Sequence, residues 1–102
     1  MKKLIGTASI TYNNLNEINS IKFETPITGI GSEVVKDLKD VKNNEEALKD
    51  AGEAILSKVF SNITDIELRD TDKTDIIFEL DCKEENGILI DCKILYYLVD
   101  KQ

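Results

Sequence analysis

Histidine is missing from all 102 residues. Its absence removes Ser–His and Cys–His nucleophilic pairs and every imidazole metal site. Cysteine is nearly missing as well: the two thiols, Cys82 and Cys92, cannot alone supply a four-ligand zinc site. Basic charge is also short. Thirteen Lys and Arg against twenty Asp and Glu leave a net charge of −7, which argues against direct binding to nucleic acid or an anionic membrane and favours basic partners. The deficit is local: residues 63–102 hold eleven acidic and five basic residues, whereas residues 1–62 hold nine and eight.

Long apolar runs are lacking too. Leu4-Ile5 is cut short by Gly6-Thr7, too early for the apolar core of a signal peptide, and no stretch reaches membrane-spanning length. A cytoplasmic protein is therefore expected. At this length, with 41% hydrophobic residues, a single domain over residues 1–102 is expected, with one core that needs neither disulfide nor metal.

Glycine is too sparse for the usual ligand loops. Gly29-Ile30-Gly31-Ser32 lacks the third glycine of a phosphate-binding turn, and Glu33 puts a negative charge where an anion would sit. It reads as a flexible lead into a helix. Asp70-Thr71-Asp72-Lys73-Thr74-Asp75 spaces oxygen ligands as calcium requires, but its sixth position is Asp instead of Gly and Lys73 opposes the cation. It reads as a solvated loop. No metal or cofactor is expected.

What the chain has is period-two alternation. Leu4, Gly6, Ala8, Ile10 and Tyr12 form the inward set of a first strand, and the small Gly6 and Ala8 call for close packing by a helix. Asn13-Asn14-Leu15-Asn16 turns the chain into a second strand through Ile21, Phe23 and Thr25, which stops at Pro26, the only proline. Ser32 as N-cap, followed by Val34, Val35, Leu38 and Val41, predicts a short helix. Asn43 as N-cap, with Glu46 three residues on, predicts the main helix over 44–60, with Leu48, Ala51, Gly52, Ile55 and Val59 as its apolar stripe. A strand around Ile66 and Leu68 precedes the final hairpin and is expected to form a three-stranded antiparallel meander with it. The expected fold is α+β: a mostly antiparallel sheet of four to five strands, ordered β-β-α-α-β-β-β, with one main and one short helix packed on it.

The final hairpin, Thr74 to Val99, carries the functional reading. A three-residue loop Glu85-Asn86-Gly87 would oppose Cys82 to Ile90, Leu80 to Cys92, Phe78 to Ile94 and Ile76 to Tyr96, leaving every even residue on one apolar face. Cys82 and Cys92 would then lie one pair out of register, roughly 7–8 Å apart on the diagonal, too far for an unstrained disulfide. Asp81 would oppose Asp91 on the outward face, with Lys83 and Lys93 beside them. An exposed sheet face is no catalytic cleft, so the chain is not expected to be an enzyme.

That outward face has an apolar end, Ile77, Leu95, Tyr97 and Val99, and an acidic end, Glu79, Asp81 and Asp91. Two coverings fit it: the chain's own first helix or a loop, or a partner with a hydrophobic anchor and a basic rim. Small size, acidity and the lack of catalytic groups are shared by many inhibitor, immunity and antidefence proteins. The expected function is therefore a non-enzymatic inhibitor or adaptor that engages a basic surface of a partner such as a nucleic-acid-handling or defence protein. The alternative is a structural or assembly subunit, a homodimer through the apolar end.

Overall fold

The computed structural model describes residues 2–25, 33–35, 42–60 and 73–101. Its elements are β1 (Lys2–Tyr12), β2 (Ile18–Glu24), β3 (Glu33–Val35), α1 (Glu45–Ile55), a π-helical turn (Leu56–Phe60), β4 (Thr74–Glu85) and β5 (Ile88–Asp100). Four long strands form an antiparallel sheet with α1 on one face, and the three-residue β3 fringes it in the order β3-β2-β1-β5-β4. No described helix is long and apolar enough to cross a membrane.

β1 and β2 are joined through Asn13, whose side-chain oxygen accepts from the backbone N–H groups of Leu15 (2.9 Å) and Glu17 (3.0 Å). An Asx-type turn of this kind lets Asn16 take its left-handed φ of 59°. Along β1 the even set faces inward from Gly6 to Tyr12, as the alternation predicts, but Leu4 does not. A bulge between Leu4 and Gly6 inserts Ile5 into the core, where it is fully buried, and turns Leu4 outward opposite Tyr97. The Thr25 hydroxyl donates to the Ile5 carbonyl at 2.6 Å, which satisfies an acceptor at the bulge.

Helix α1 begins one residue later than its sequence implies. Asn44 is the N-cap, accepting from the Ala47 N–H at 2.8 Å, while Asn43 instead donates to the Leu89 carbonyl at 2.6 Å and ties the helix start to β5. Either asparagine can cap a helix; the tertiary bond to Leu89 decides which one does. Glu45 and Glu46 favour the helix dipole at this end. Leu48, Gly52 and Ile55 are the buried stripe. The expected short helix meets a strand at Glu33–Val35, where β-branched Val34 and Val35 pair with β2; the rest of that segment lies outside the described residues. So do the strand expected around Ile66 and Leu68, the Gly29–Ser32 turn and the first half of the Asp70–Asp75 loop, whose Thr74 and Asp75 open β4.

The inner face carries a chain of aromatic contacts. Phe23 meets Tyr96 edge-on at 5.6 Å, and Tyr96 meets Phe78 at 5.8 Å. Gly6, paired with Tyr96, makes this possible: a Cβ there would lie 2.6 Å from the Phe23 ring. A ring from the neighbouring strand therefore fills the space that the small residues of β1 reserve, where a helix was expected. The close helix approach occurs two strands away, at β4, where a Cβ on Gly52 would lie 2.6 Å from the Phe78 ring. The Tyr96 hydroxyl donates to the Gly52 carbonyl at 3.0 Å and locks α1 over β5. Full burial of a side chain of this size contributes about 2–3 kcal/mol.

The hairpin register differs from the expected one. The loop has two residues, Asn86 (φ 53°) and Gly87 (φ 78°), with Glu85 opposite Ile88, as in a type I′ turn. Carried through without interruption, that register would oppose Phe78 to Leu95 and scramble the faces. A bulge prevents it. Between the Lys83–Ile90 and Asp81–Lys93 pairs β5 has two residues, Asp91 and Cys92, against the single Cys82, and Asp91 takes a φ of 51°. Below the bulge Leu80 pairs with Ile94, Phe78 with Tyr96 and Ile76 with Leu98, so even faces even again, one pair further on than expected.

Candidate interaction surface

Since α1 covers the inner face, the odd residues of β4 and of the lower part of β5 point the other way. Ile77 lies opposite Tyr97, Glu79 opposite Leu95, Asp75 opposite Val99 and Asp81 opposite Lys93. The residues expected at the partner site, Ile77, Glu79, Asp81, Asp91, Leu95, Tyr97 and Val99, thus share one surface region. Their pairing is corrected: Asp81 faces a lysine, not Asp91, because the bulge takes Asp91 out of the ladder. Asp91 stands exposed at the edge of a shallow depression of about 350 Å³ whose walls include Asp81, Lys83, Lys93 and Ser9. Two lysines and two aspartates balance there.

Three strands meet at the other end of the face. The Lys2 ammonium of β1 sits 2.7 Å from the Glu79 Oε1 of β4 and 4.5 Å from the centre of the Tyr97 ring of β5. The hydrogen bond to Glu79 raises the Lys2 pKa above its ordinary value. Carboxylate and aromatic ring hold one cation between them. Leu4 of β1 and Ile77 of β4, the two neighbours of Tyr97, are 48% and 39% exposed and leave apolar surface on both sides of this clasp; Ile88, 46% exposed, adds more at the hairpin tip.

Sequence alternation alone missed Lys2, Leu4, Ile88 and Ile90. The two isoleucines reach the outward face because the bulge inverts the tip, where Leu89 packs on the core instead. The signal that finds them is Asn86-Gly87, the strongest two-residue hairpin pair. Lys2 and Leu4 needed the β1–β5 pairing, which nothing local reports.

The thiols offer no ready nucleophile. Burial, reinforced by the adjoining Cys92 thiol, pushes Cys82 up to about 12, and Cys92 is buried. The bulge makes these two thiols direct neighbours on the inner face, not diagonal ones, and both are free. Tyr12 packs beside them, its hydroxyl pushed up by burial and by Cys92. Among the described residues no group of three or more His, Cys, Asp or Glu side chains could hold a metal ion.

Comparison of the chain with family models, curated proteins and solved structures finds no match.

Proposed function

We propose that this chain is a non-enzymatic binding protein, an inhibitor or adaptor that sets its outward sheet face against a basic surface of a partner protein. The observation that supports this reading most directly is the Lys2 clasp. Glu79 and Tyr97 already hold an ammonium group by charge and ring face, the chemistry with which they would receive a partner's Lys or Arg. Leu4 and Ile77 beside them supply apolar anchorage, and Asp81 and Asp91 extend the acidic side. Basic surfaces of this kind belong to proteins that handle nucleic acid, whose cationic grooves an acidic sheet would occupy.

Affinity purification from the native cell, with the captured proteins identified by mass spectrometry and titrated against salt, tests this. Basic partners whose association slows as ionic strength rises are expected. Acidic partners, or binding indifferent to salt, would discard the reading. The apolar side chains Ile77, Leu95, Tyr97 and Val99 also suit a second copy of the chain, and light scattering separates that alternative.

A further inference from the structure

We propose that Cys82 and Cys92 form a reversible disulfide site, closed by thiol–disulfide exchange with a small organic disulfide, which fastens the final hairpin at its bulge. This goes beyond the binding role and does not depend on it.

The bulge makes the pair. In an unbulged ladder with the expected loop the two cysteines would be diagonal neighbours roughly 7–8 Å apart, beyond the roughly 4.4–6.8 Å between Cα atoms that a disulfide spans. In the fold, the Asp81–Lys93 and Lys83–Ile90 pairs leave Cys82 alone against Asp91 and Cys92. Asp91 takes the left-handed backbone of the insertion, and Cys92 joins Cys82 on the inner face. Opposed residues of an antiparallel pair stand roughly 4.5–5.5 Å apart at Cα, inside the range a disulfide spans. The ladder is already interrupted at a bulge, so the two strands can draw in as the bond forms.

Access divides the work between the two thiols. Cys92 is 2% exposed, whereas Cys82 is only half-buried. Cys82 is therefore the thiol that an incoming disulfide meets, and Cys92 the one that resolves the product. As thiolate, Cys82 attacks one sulfur of the reagent and expels the other half, which takes up a proton. Cys92, again as thiolate, attacks the Cys82 sulfur and expels the remaining half as a second thiol. One S–S bond breaks and one forms: the cysteine pair gives up two electrons to the reagent, and its two protons end on the released thiols. Burial and the Cys92 thiol keep Cys82 protonated, which slows the first step. The second joins neighbours within one chain and is fast.

The test incubates the full chain at mildly alkaline pH with hydroxyethyl disulfide, a neutral reagent that the net charge of −7 does not repel. Mass, free thiols and thermal unfolding are followed. The parent is expected to lose the mass of two hydrogens and both free thiols while staying a single chain. Once closed it should melt about 5 °C higher, and reduction should restore the starting Tm. Cys92→Ser should stop at one hydroxyethylthio adduct on Cys82, and Cys82→Ser should react at least about tenfold more slowly than Cys92→Ser. A parent chain that stays reduced, keeps the adduct, links to a second chain or closes only after unfolding in urea would overturn the site. So would a closed chain that melts below the reduced one, because the native register would then not hold the bond. Equal rates for the two single variants would overturn Cys82 as the point of entry.

Discussion

Asp91 is the residue on which the hairpin turns. A left-handed backbone costs most side chains about 1–2 kcal/mol, and less for Asp, Asn or Gly. Asp91→Val is therefore expected to lower unfolding stability by about 1–2 kcal/mol. In Asp91→Gly, relief of that backbone opposes the extra entropy of the unfolded chain, leaving stability within roughly 1 kcal/mol of the parent. Urea denaturation measures both. Because Asp91→Gly also removes a carboxylate from the outward face, it separates binding effects from folding effects.

Cys82 yields a second prediction at this scale. Its folded pKa of about 12 lies above the ordinary 9.0. Below pH 9 both folded and unfolded chains keep the proton; between 9 and 12 the unfolded chain loses it first. This thiol's contribution to stability is thus complete below pH 9 and disappears as the pH rises towards 12. Cys82→Ala should flatten part of the alkaline decline seen in thermal unfolding. At pH 8 the folded thiol should react with iodoacetamide far more slowly than a free cysteine, since burial and the Cys92 thiol hold its thiolate population down.

At the scale of elements, α1 and β4 meet through Gly52. An alanine would gain about 1 kcal/mol in helix propensity, yet its Cβ would fall 2.6 Å from the Phe78 ring. Overpacking of that kind costs about 1–3 kcal/mol. The clash wins, because moving α1 away would also stretch the Tyr96–Gly52 hydrogen bond. Gly52→Ala is expected to destabilise the fold by roughly 1 kcal/mol, and Phe78→Leu in the same chain should recover part of the loss. Additive losses in that double-mutant cycle would show that the two residues do not press on each other.

For the whole molecule, the question is what the outward face touches. Tyr97 is half-buried on that face, apart from the aromatic contacts around Tyr96. Tyr97→Asp exchanges a ring beneath Lys2 for a carboxylate beside it, so the monomer should remain folded, with a stability change within about 1 kcal/mol. If copies of the chain associate through this face, the substitution should reduce the mass seen by light scattering. Unfolding of Tyr97→Asp with no prior change in mass would place Tyr97 in the monomer's own core and end the case for self-association.

What the sequence by itself determined is the set of faces. Alternation in β1, β2, β4 and β5 sorted inward from outward residues because the strand period is two in any sheet, and the Leu48, Gly52 and Ile55 stripe marked α1 because the helical period is equally local. The acidic character of the C-terminal strands was also plain from the chain. Tertiary structure decided where those periods break and which strands are neighbours. Ile5 and Asp91 sit at bulges that let β1 and β5 keep their apolar faces together; a single strand carries no record of such an adjustment, which exists only relative to its partner. Pairing of β1 with β5 joins residues more than ninety positions apart, as in Lys2 and Val99. That contact creates the Lys2, Glu79 and Tyr97 clasp, and it forms because burial of Ile94, Tyr96 and Leu98 requires a strand on each side of β5.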